Sequence, residues 1–209
     1  MSLKNYYDSE YYKDIESSKP SLPMNMWSVE FRKKMLVDLF KGKKVCDVGC
    51  GPGFYVEFCV NNGIDCTGVD ISLNVINFCK QKIKNAKFHV VNVEEEKLPI
   101  KFDGIFSFDV IEHVFNYDNF LKNIYDSLNE KSIAVISSAN ILAPQNRIKF
   151  LFGKGAPFYD KEHVHFFTVD LLIDSMKTAG FKNLKLTGTG KLAWLSNHFA
   201  GNIYVIGEK

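Results

Sequence analysis

At 209 residues, the chain is long enough for one domain that buries roughly 70% of the surface its unfolded form would expose. Hydrophobic residues make up 46% of it and charged residues 24%, which excludes a disordered or fibrous protein. Because 26 basic and 24 acidic residues leave a net charge of only +2, the composition gives no electrostatic reason to expect nucleic acid as a substrate.

Targeting and redox features are unremarkable in this sequence. No apolar run approaches the ~20 residues of a membrane-spanning helix, and the N-terminus, MSLKNYYDSEYYKD, lacks the apolar stretch of a signal peptide. We therefore expect a cytoplasmic protein without membrane insertion. The odd number of cysteines and the absence of CxxC spacing predict reduced, mostly buried thiols at Cys46, Cys50, Cys59, Cys66 and Cys79.

Taken in chain order, apolar strand patterns alternate with helical ones. A first helix is predicted over 27–40, with Phe31, Met35, Leu39 and Phe40 on one face. Short runs rich in Val, Ile and Phe then predict strands at 43–48, 64–69, 87–92, 103–108 and 132–138. Helical periods predict helices between them at 54–62, 72–84 and 116–129, the last with an apolar stripe of Phe120, Ile124 and Leu128. This alternation is typical of a parallel sheet covered by helices.

The C-terminal third has a different pattern. Residues 140–165 form a long connection with weak periodicity, which we interpret as a substrate-side lid and call the lid segment. Thr168 can cap a helix that runs to Ala179 and ends at Gly180. Two further strands, near 181–187 and 198–207, predict a closing antiparallel hairpin.

The most informative stretch is the glycine-rich turn after the first strand. Gly49, Gly51 and Gly53 alternate between an apolar strand and a helix, so the backbone can approach a ligand closely. About 20 residues later the second strand ends at Asp70, whose carboxylate could accept hydrogen bonds from the two ribose hydroxyls. Together these features indicate a ligand that contains adenosine.

The glycine spacing and one acidic residue favour a particular ligand. Dinucleotide sites have G-x-G-x-x-G, but Phe54 occupies the position of the third glycine here. Asp47, at the end of the first strand, would repel a pyrophosphate but could bind the ammonium group of a methionyl moiety. The pattern favours S-adenosylmethionine over NAD.

Four successive motifs resemble those of class I methyltransferases, closest to the branch with ubiquinone-biosynthesis O-methyltransferases. They are D-V-G-C-G-P-G at 47–53, G-V-D-I-S at 68–72, N-V-E-E-E-K-L-P at 92–99 and F-D-G-I-F-S-F-D-V-I-E-H-V at 102–114. The resemblance implies a doubly wound α/β fold with a mostly parallel, seven-stranded sheet, a reversed hairpin at its end, and the cofactor across the carboxyl ends of the first strands.

The resemblance also assigns cofactor-binding residues. It implies that Asp47, Gly49 and Gly51 line the methionine moiety, with Gly53 completing the turn. The ribose would contact Asp70, and Ile71 would lie beside the adenine. Asn92 replaces the usual Asp; its side-chain oxygen could bond the adenine amino group while the Val93 N–H donates to the ring. Phe108 and Asp109 would lie near the sulfonium.

A hydroxyl acceptor would need a base. His113 is the first candidate, although it could simply orient the loop after the fourth strand, and His163 and His165 in the lid segment are the others. The alternating pattern Glu-His-Val-His at residues 162–165 predicts that one of these two histidines faces inward and the other outward. Asp109, Glu112 and His113 have ligand-type side chains for a divalent ion, but we predict no functional metal site.

These observations predict a single methyltransferase domain over 1–209, with an N-terminal helical cap at 1–41. Either the cap covers the cofactor, through Tyr7, Tyr11, Tyr12 or Trp27, or it docks on the sheet edge. The predicted activity is methyl transfer to a small acceptor, most simply at oxygen, by a monomer or homodimer. Aromatic residues of the lid segment and just beyond it make a hydrophobic acceptor plausible: Phe150, Phe152, Phe158, Tyr159, Phe166 and Phe167. The alternatives are a related binding protein without catalysis and a nicotinamide-dependent oxidoreductase.

Overall fold

The computed structural model describes residues 3–12, 26–152 and 162–209. The strands are β1 (Lys44–Val48), β2 (Asp65–Asp70), β3 (Lys87–Val90), β4 (Phe102–Phe108), β5 (Leu128–Ala139), β6 (Lys182–Thr189) and β7 (Asn202–Glu208). The helices are α1 (Leu3–Tyr6), α2 (Met26–Phe40), α3 (Phe54–Asn61), α4 (Leu73–Lys82), α5 (Tyr117–Asp126), α6 (Pro144–Leu151) and α7 (Val169–Ala179). A π-helical turn, Tyr7–Tyr11, follows α1, and a 3-10 helix, Asn197–Phe199, precedes β7.

All seven strands form one sheet in the order β3-β2-β1-β4-β5-β7-β6. Neighbours among β1 to β5 pair in parallel, whereas β7 runs antiparallel to both β5 and β6. The expected α/β fold and its reversed C-terminal hairpin are therefore confirmed. The strand order changes direction between β1 and β4, where open α/β sheets form a ligand crevice at the strands' carboxyl ends.

Local sequence explains where several helices begin and end. Ser72 Oγ accepts a hydrogen bond from Val75 N and caps α4. In the same way Thr168 caps α7 through Leu171 N, and Gly180 ends that helix in the left-handed conformation, at φ 113°. The predicted helix over 168–179 is thus confirmed together with both of its end signals.

Two apolar layers enclose the sheet. On one side Ile105 and Ile136 of the sheet pack with Phe120 of α5 and Leu172 of α7. The other cluster joins α2, α3 and α4 to the opposite face and includes Leu36, Phe40, Val56 and Ile76. All five cysteines are free and buried, as expected. Within the described ranges, no helix is long and apolar enough to cross a membrane.

Three local predictions have mixed outcomes. Leu128 does not extend the apolar stripe of α5; it begins β5, because Ser127 already ends the helix and bonds back to Asn123 and Ile124. The predicted face of α2 packs on the core, with Met35 and Phe40 buried and Phe31 and Leu39 half-buried against the same cluster, but the buried face also includes Arg32 and Leu36. The lid segment is also less irregular than expected, since Pro144 begins α6 within it.

Candidate functional site

The glycine-rich turn leads from the end of β1 into α3. Gly49 has a φ of 75°, and its amide, like that of Cys50, donates to the carbonyl of Val69 at the end of β2. A Cβ at Gly49 would overlap the side chain of Val110. The turn therefore requires glycine here both for its backbone conformation and for its close approach to the loop after β4.

Asp70 is the buried acid at the end of β2. Its carboxylate accepts hydrogen bonds from the amides of Gly51, at 3.0 Å, and Ser72, at 2.9 Å. Burial raises the pKa of Asp70 to about 6, although these backbone hydrogen bonds oppose the rise. A carboxylate has about four acceptor positions, so two amides leave capacity for the hydroxyls of a ribose.

An open cleft of about 750 Å³ lies along the carboxyl ends of the central strands. It brings together most of the predicted cofactor residues: Gly49, Asp70, Ile71, Asn92, Val93, Phe108 and Asp109. His113 lines the same cleft, as do Tyr7 and Tyr12, two of the residues named for the cap. Sequence reasoning did not assign Glu94, Val110 and Glu162, which also line it. Most of the predicted cofactor residues and His113 therefore meet at one cleft.

The other three predicted cofactor residues do not line this cleft. Gly51 donates to Asp70 as described, and Gly53, at φ 82°, precedes α3 and packs so closely that a Cβ would lie 2.7 Å from Ile83 Cδ1. Asp47 is buried, and its Oδ2 has no hydrogen-bond partner among the described residues. Burial and the nearby Asp70 raise the pKa of Asp47, while Arg32 opposes this.

Asp109 is held in a strained conformation by a buried guanidinium. It has a φ of 55°, unusual for a residue with a side chain. Arg32 Nη2 lies 2.6 Å from Asp109 Oδ2, and its Nε donates to the hydroxyl of Tyr204 at 2.9 Å. Ser137 adds hydrogen bonds to the amide and to Oδ1 of Asp109. Burial by itself would lower the pKa of Arg32, but Asp109, Tyr204 and Tyr55 raise it overall.

Sequence reasoning missed Arg32, although a signal was present. Arg32 lies among Ser28, Val29, Met35 and Leu36 on the buried face of α2, a position where an unpaired charge would be costly. The ring of Phe108 lies under its guanidinium, 4.7 Å from Cζ to the ring centroid. Arg32 therefore connects α2 with the end of β4 and with β7.

The predicted adenine end of the cleft is also structured by local hydrogen bonds. Asn92 Oδ1 accepts from the amide of Glu94 at 3.2 Å, and Asn123 Nδ2 donates to the carbonyl of Val93 at 2.9 Å. Asn92 Oδ1, the oxygen expected to bond the adenine amino group, thus already accepts one hydrogen bond, and its second lone pair remains for the adenine.

The N-terminal segment covers part of the cleft. Tyr7 and Tyr12 line it, and Asp8 accepts from Ser72 Oγ and from the amide of Asn74, at the start of α4. Trp27 instead lies exposed on the surface, and the side chain of Tyr11 lies outside the described residues.

His113, Glu112 and His163 lie between this cleft and a second pocket. The rings of His113 and His163 meet edge to face, with centroids 4.7 Å apart. His113 Nδ1 lies 3.3 Å from the carbonyl of Glu162, so a proton on Nδ1 leaves the basic lone pair on Nε2. Glu112 is buried, and its Oε2 has no hydrogen-bond partner within the described part of the chain. Burial, followed by the charge of Asp109, raises the pKa of Glu112 to about 8.

Both histidines of the lid segment line the second pocket, so the prediction that one faces inward and the other outward was wrong. Residues two apart in an extended segment point to the same side, and the exposed residue between them is Val164. His165 is fixed further by Nε2, 3.1 Å from the carbonyl of Phe115. Polar residues of β5, α6 and β7 also line the pocket, among them Ser138, Gln145, Asn146 and Asn202.

Other expectations for the lid segment have mixed outcomes. Phe167 is fully buried in the core, whereas Phe150, Phe152 and Phe166 are exposed. Phe158 and Tyr159 lie outside the described residues.

The structure groups metal-type ligand atoms differently from the triplet considered from sequence. Atoms of Glu112, His113 and His163 lie within 4.8 Å of one another, whereas Asp109 is paired with Arg32.

Comparisons with known proteins agree with the fold. The family described as methyltransferase domain matches residues 28–186, well over half of the chain. Over 124 residues the chain is 28% identical to the mitochondrial ubiquinone biosynthesis O-methyltransferase of Schizosaccharomyces pombe, covering 55% of this chain and 45% of that protein. It is 27% identical over 133 residues to the (S)-coclaurine N-methyltransferase of Papaver somniferum, covering 60% of this chain and 37% of that one. The chain thus spans less than half the length of these relatives.

A solved structure supports the same assignment of fold. Magnesium protoporphyrin IX methyltransferase from Synechocystis, solved with bound SAH, has a TM-score of 0.71 and 16% identity, covering 99% of this chain and 98% of that one. The chain therefore belongs to the methyltransferase-domain family and shares its fold with this solved methyltransferase.

Proposed function

We propose that this chain transfers a methyl group from S-adenosylmethionine to an oxygen of a small molecule. One observation carries the proposal: the cleft that begins at the buried acid Asp70 also reaches His113, a side chain able to remove a proton. The net charge of +2 gives no electrostatic support for a nucleic-acid acceptor. We also propose a cytoplasmic location, on the sequence reasoning above.

The residues present fit this cofactor. Asp70 retains acceptor capacity for ribose hydroxyls. Asp47, two residues before Gly49, has a buried Oδ2 without a hydrogen-bond partner among the described residues, and a cationic ammonium group would compensate such a carboxylate. Bound in the cleft, S-adenosylmethionine supplies a methyl group on a positively charged sulfur. Phe108, held against Arg32, and Asp109 would form the wall beside that sulfur.

We assign the second pocket to the acceptor. His113 lines the cofactor cleft, and His163, in contact with it, lines the second pocket, so the two histidines lie at the boundary. With Nδ1 directed at a backbone carbonyl, His113 can accept the acceptor's proton at Nε2. The main contribution of the fold would be to hold the acceptor in line with the methyl group and to exclude water.

Calorimetric titration with S-adenosylmethionine, S-adenosylhomocysteine and NAD tests the cofactor. Binding of the first two and none of NAD is expected, since Asp47 and Phe54 disfavour a pyrophosphate. A preference for NAD would refute the proposal and favour an oxidoreductase.

Transfer is tested with radiolabelled S-adenosylmethionine and a panel of phenols, carboxylates and amines. His113→Gln should lower kcat about 10²-fold or more on a hydroxyl acceptor while leaving cofactor affinity little changed. The exposed His89 on β3 provides the matched control, His89→Gln. Cofactor binding without transfer to any acceptor would favour the non-catalytic alternative, and transfer only to amines would refute the oxygen assignment.

A further inference from the structure

Three segments far apart in sequence form one surface, which we call the aromatic-basic face: residues 26–29, 141–152 and 188–196. Ser28 Oγ lies 3.2 Å from Thr189 Oγ1, joining the start of α2 to the end of β6. Gln145 of α6 lines a groove together with Ser28, Thr189 and Lys191. The segments therefore meet at one groove beside the start of β7.

Large apolar side chains are exposed on all three segments. Trp27 and Trp194 are 83% and 78% exposed, and Leu151 at the end of α6 is 83% exposed. Further exposed apolar residues are Met26, Leu142, Ile148, Phe150, Phe152 and Leu195. These two tryptophans are the only ones in the chain, so neither indole is used in the core. Such a concentration on one surface indicates a binding face rather than scattered exposure.

The same segments contain no Asp or Glu, although the chain has 24 of these residues. They carry Arg147, Lys149 and Lys191, so the charge on the face is positive. Among the described residues, the neighbouring Glu30 is paired with Lys33. The described part of the face therefore combines exposed aromatic rings with basic groups.

We propose that the aromatic-basic face docks on the surface of an anionic lipid bilayer. Tryptophan prefers the boundary between lipid head groups and acyl chains, because its ring is apolar and its N–H is polar. Leucine and phenylalanine side chains of α6 enter the same boundary, and adjacent lysine and arginine residues bind anionic head groups. A second copy of this chain would present the same positive face and would repel it in a face-to-face contact.

The location of this face adds a consequence for the acceptor pocket. Gln145, Gly201 and Asn202 line both the groove in this face and the second pocket. Docking would thus bring the pocket that we assign to the acceptor close to the lipid surface. The docking itself does not depend on that assignment.

The two tryptophans make the docking directly measurable. On titration with vesicles of phosphatidylcholine and phosphatidylglycerol, intrinsic fluorescence should shift to shorter wavelength as both indoles leave water. Vesicles of phosphatidylcholine alone should give a much smaller shift, and added salt should reverse the binding. An unchanged spectrum with anionic vesicles, or equal binding to neutral ones, would overturn the proposal.

Paired variants test the face itself by cosedimentation with the same vesicles. Lys149→Gln should weaken the partition about fivefold, the contribution expected of one basic group near an anionic surface. Leu151→Ala should weaken it about tenfold through lost apolar burial. Lys80→Gln and Leu73→Ala, at exposed positions of α4, are the matched controls and should bind as the parent does.

Equal loss of vesicle binding in the face variants, Lys149→Gln and Leu151→Ala, and in the control variants would refute the assignment of this face. Sedimentation equilibrium without lipid tests whether the face instead joins two copies of the chain. A dimer that only the two face variants disrupt, in a protein that does not bind vesicles, would also overturn the proposal.

Discussion

Replacing Arg32 with Met should destabilise the protein by about 3 kcal/mol, because it leaves Asp109 without its cation. Breaking a buried ion pair by removing one partner typically costs about 3–5 kcal/mol. Arg32 is only 1% exposed but Asp109 is 32% exposed, so solvent screening places the cost at the lower end, about 3 kcal/mol. Methionine keeps most of the apolar stem that packs in the core. A loss of this size corresponds to a fall in Tm of roughly 6–12 °C for a domain of this length.

The assay is urea unfolding followed by circular dichroism, with Lys34→Met as the control on the same helix. Lys34 is paired with Asp38 at the surface, and removing an exposed i,i+4 pair should cost only about 0.3–0.5 kcal/mol. Combining Arg32→Met with Asp109→Asn should cost about 1–2 kcal/mol less than the sum of the single changes. If Arg32→Met costs no more than Lys34→Met, the buried pair does not stabilise the fold and the reasoning is wrong.

Three further predictions concern the site and its supporting helices. The pKa of Asp70 is about 6, and its carboxylate form accepts the ribose hydroxyls, so the affinity for S-adenosylmethionine, measured by calorimetry, should fall about tenfold between pH 7 and pH 5. The variant Asp70→Asn should bind the cofactor weakly at both pH values. An equal fall of affinity in that variant would exclude Asp70 as the cause. Gly53→Ala should lower the free energy of unfolding in urea by about 1–3 kcal/mol, more than Gly63→Ala does. Both glycines have a positive φ, but only at Gly53 would the new methyl group meet Ile83. Equal losses in the two variants would contradict the packing argument. Thr168→Ala should cost about 1 kcal/mol in the same measurement by removing the cap of α7, and an unchanged midpoint would show that the cap contributes nothing.

The sheet was predictable because its strands are short apolar runs between strong local signals. β1 is followed by the glycine-rich turn, and the cap at Ser72 marks the end of the loop after β2. The start of β5 at Leu128 was not predictable, since the pairing register with β4 shifts between Phe102 and Gly104. Such shifts depend on the partner strand and leave no mark in the local pattern.

The candidate site was predictable in its cofactor part and less so elsewhere. Glycine spacing and the acid at a strand end are local in sequence, and Gly49, Asp70 and Asn92 do line one cleft. The pairing of Arg32 with Asp109 joins residues 77 positions apart, and only the folded chain reveals it. The same holds for the contact between His113 and His163, which arises because the amide of Val164 bonds to the carbonyl of Glu112.

Asn140 at the end of β5 connects several of these features. Its side-chain amide donates to the carbonyls of His198 and Ala200, both at 3.0 Å, and its own carbonyl accepts from Asn146 Nδ2 at 2.9 Å. The first turn of α6 is therefore anchored to the sheet while its last turn, at Leu151, is exposed to solvent. A force on the exposed last turn of α6 would be transmitted along the helix to this anchored first turn. A displacement of α6 would reshape the pocket next to Asn146 and leave the cleft at Asp70 unchanged. Contact with lipid should therefore alter the KM for the acceptor and not the affinity for the cofactor.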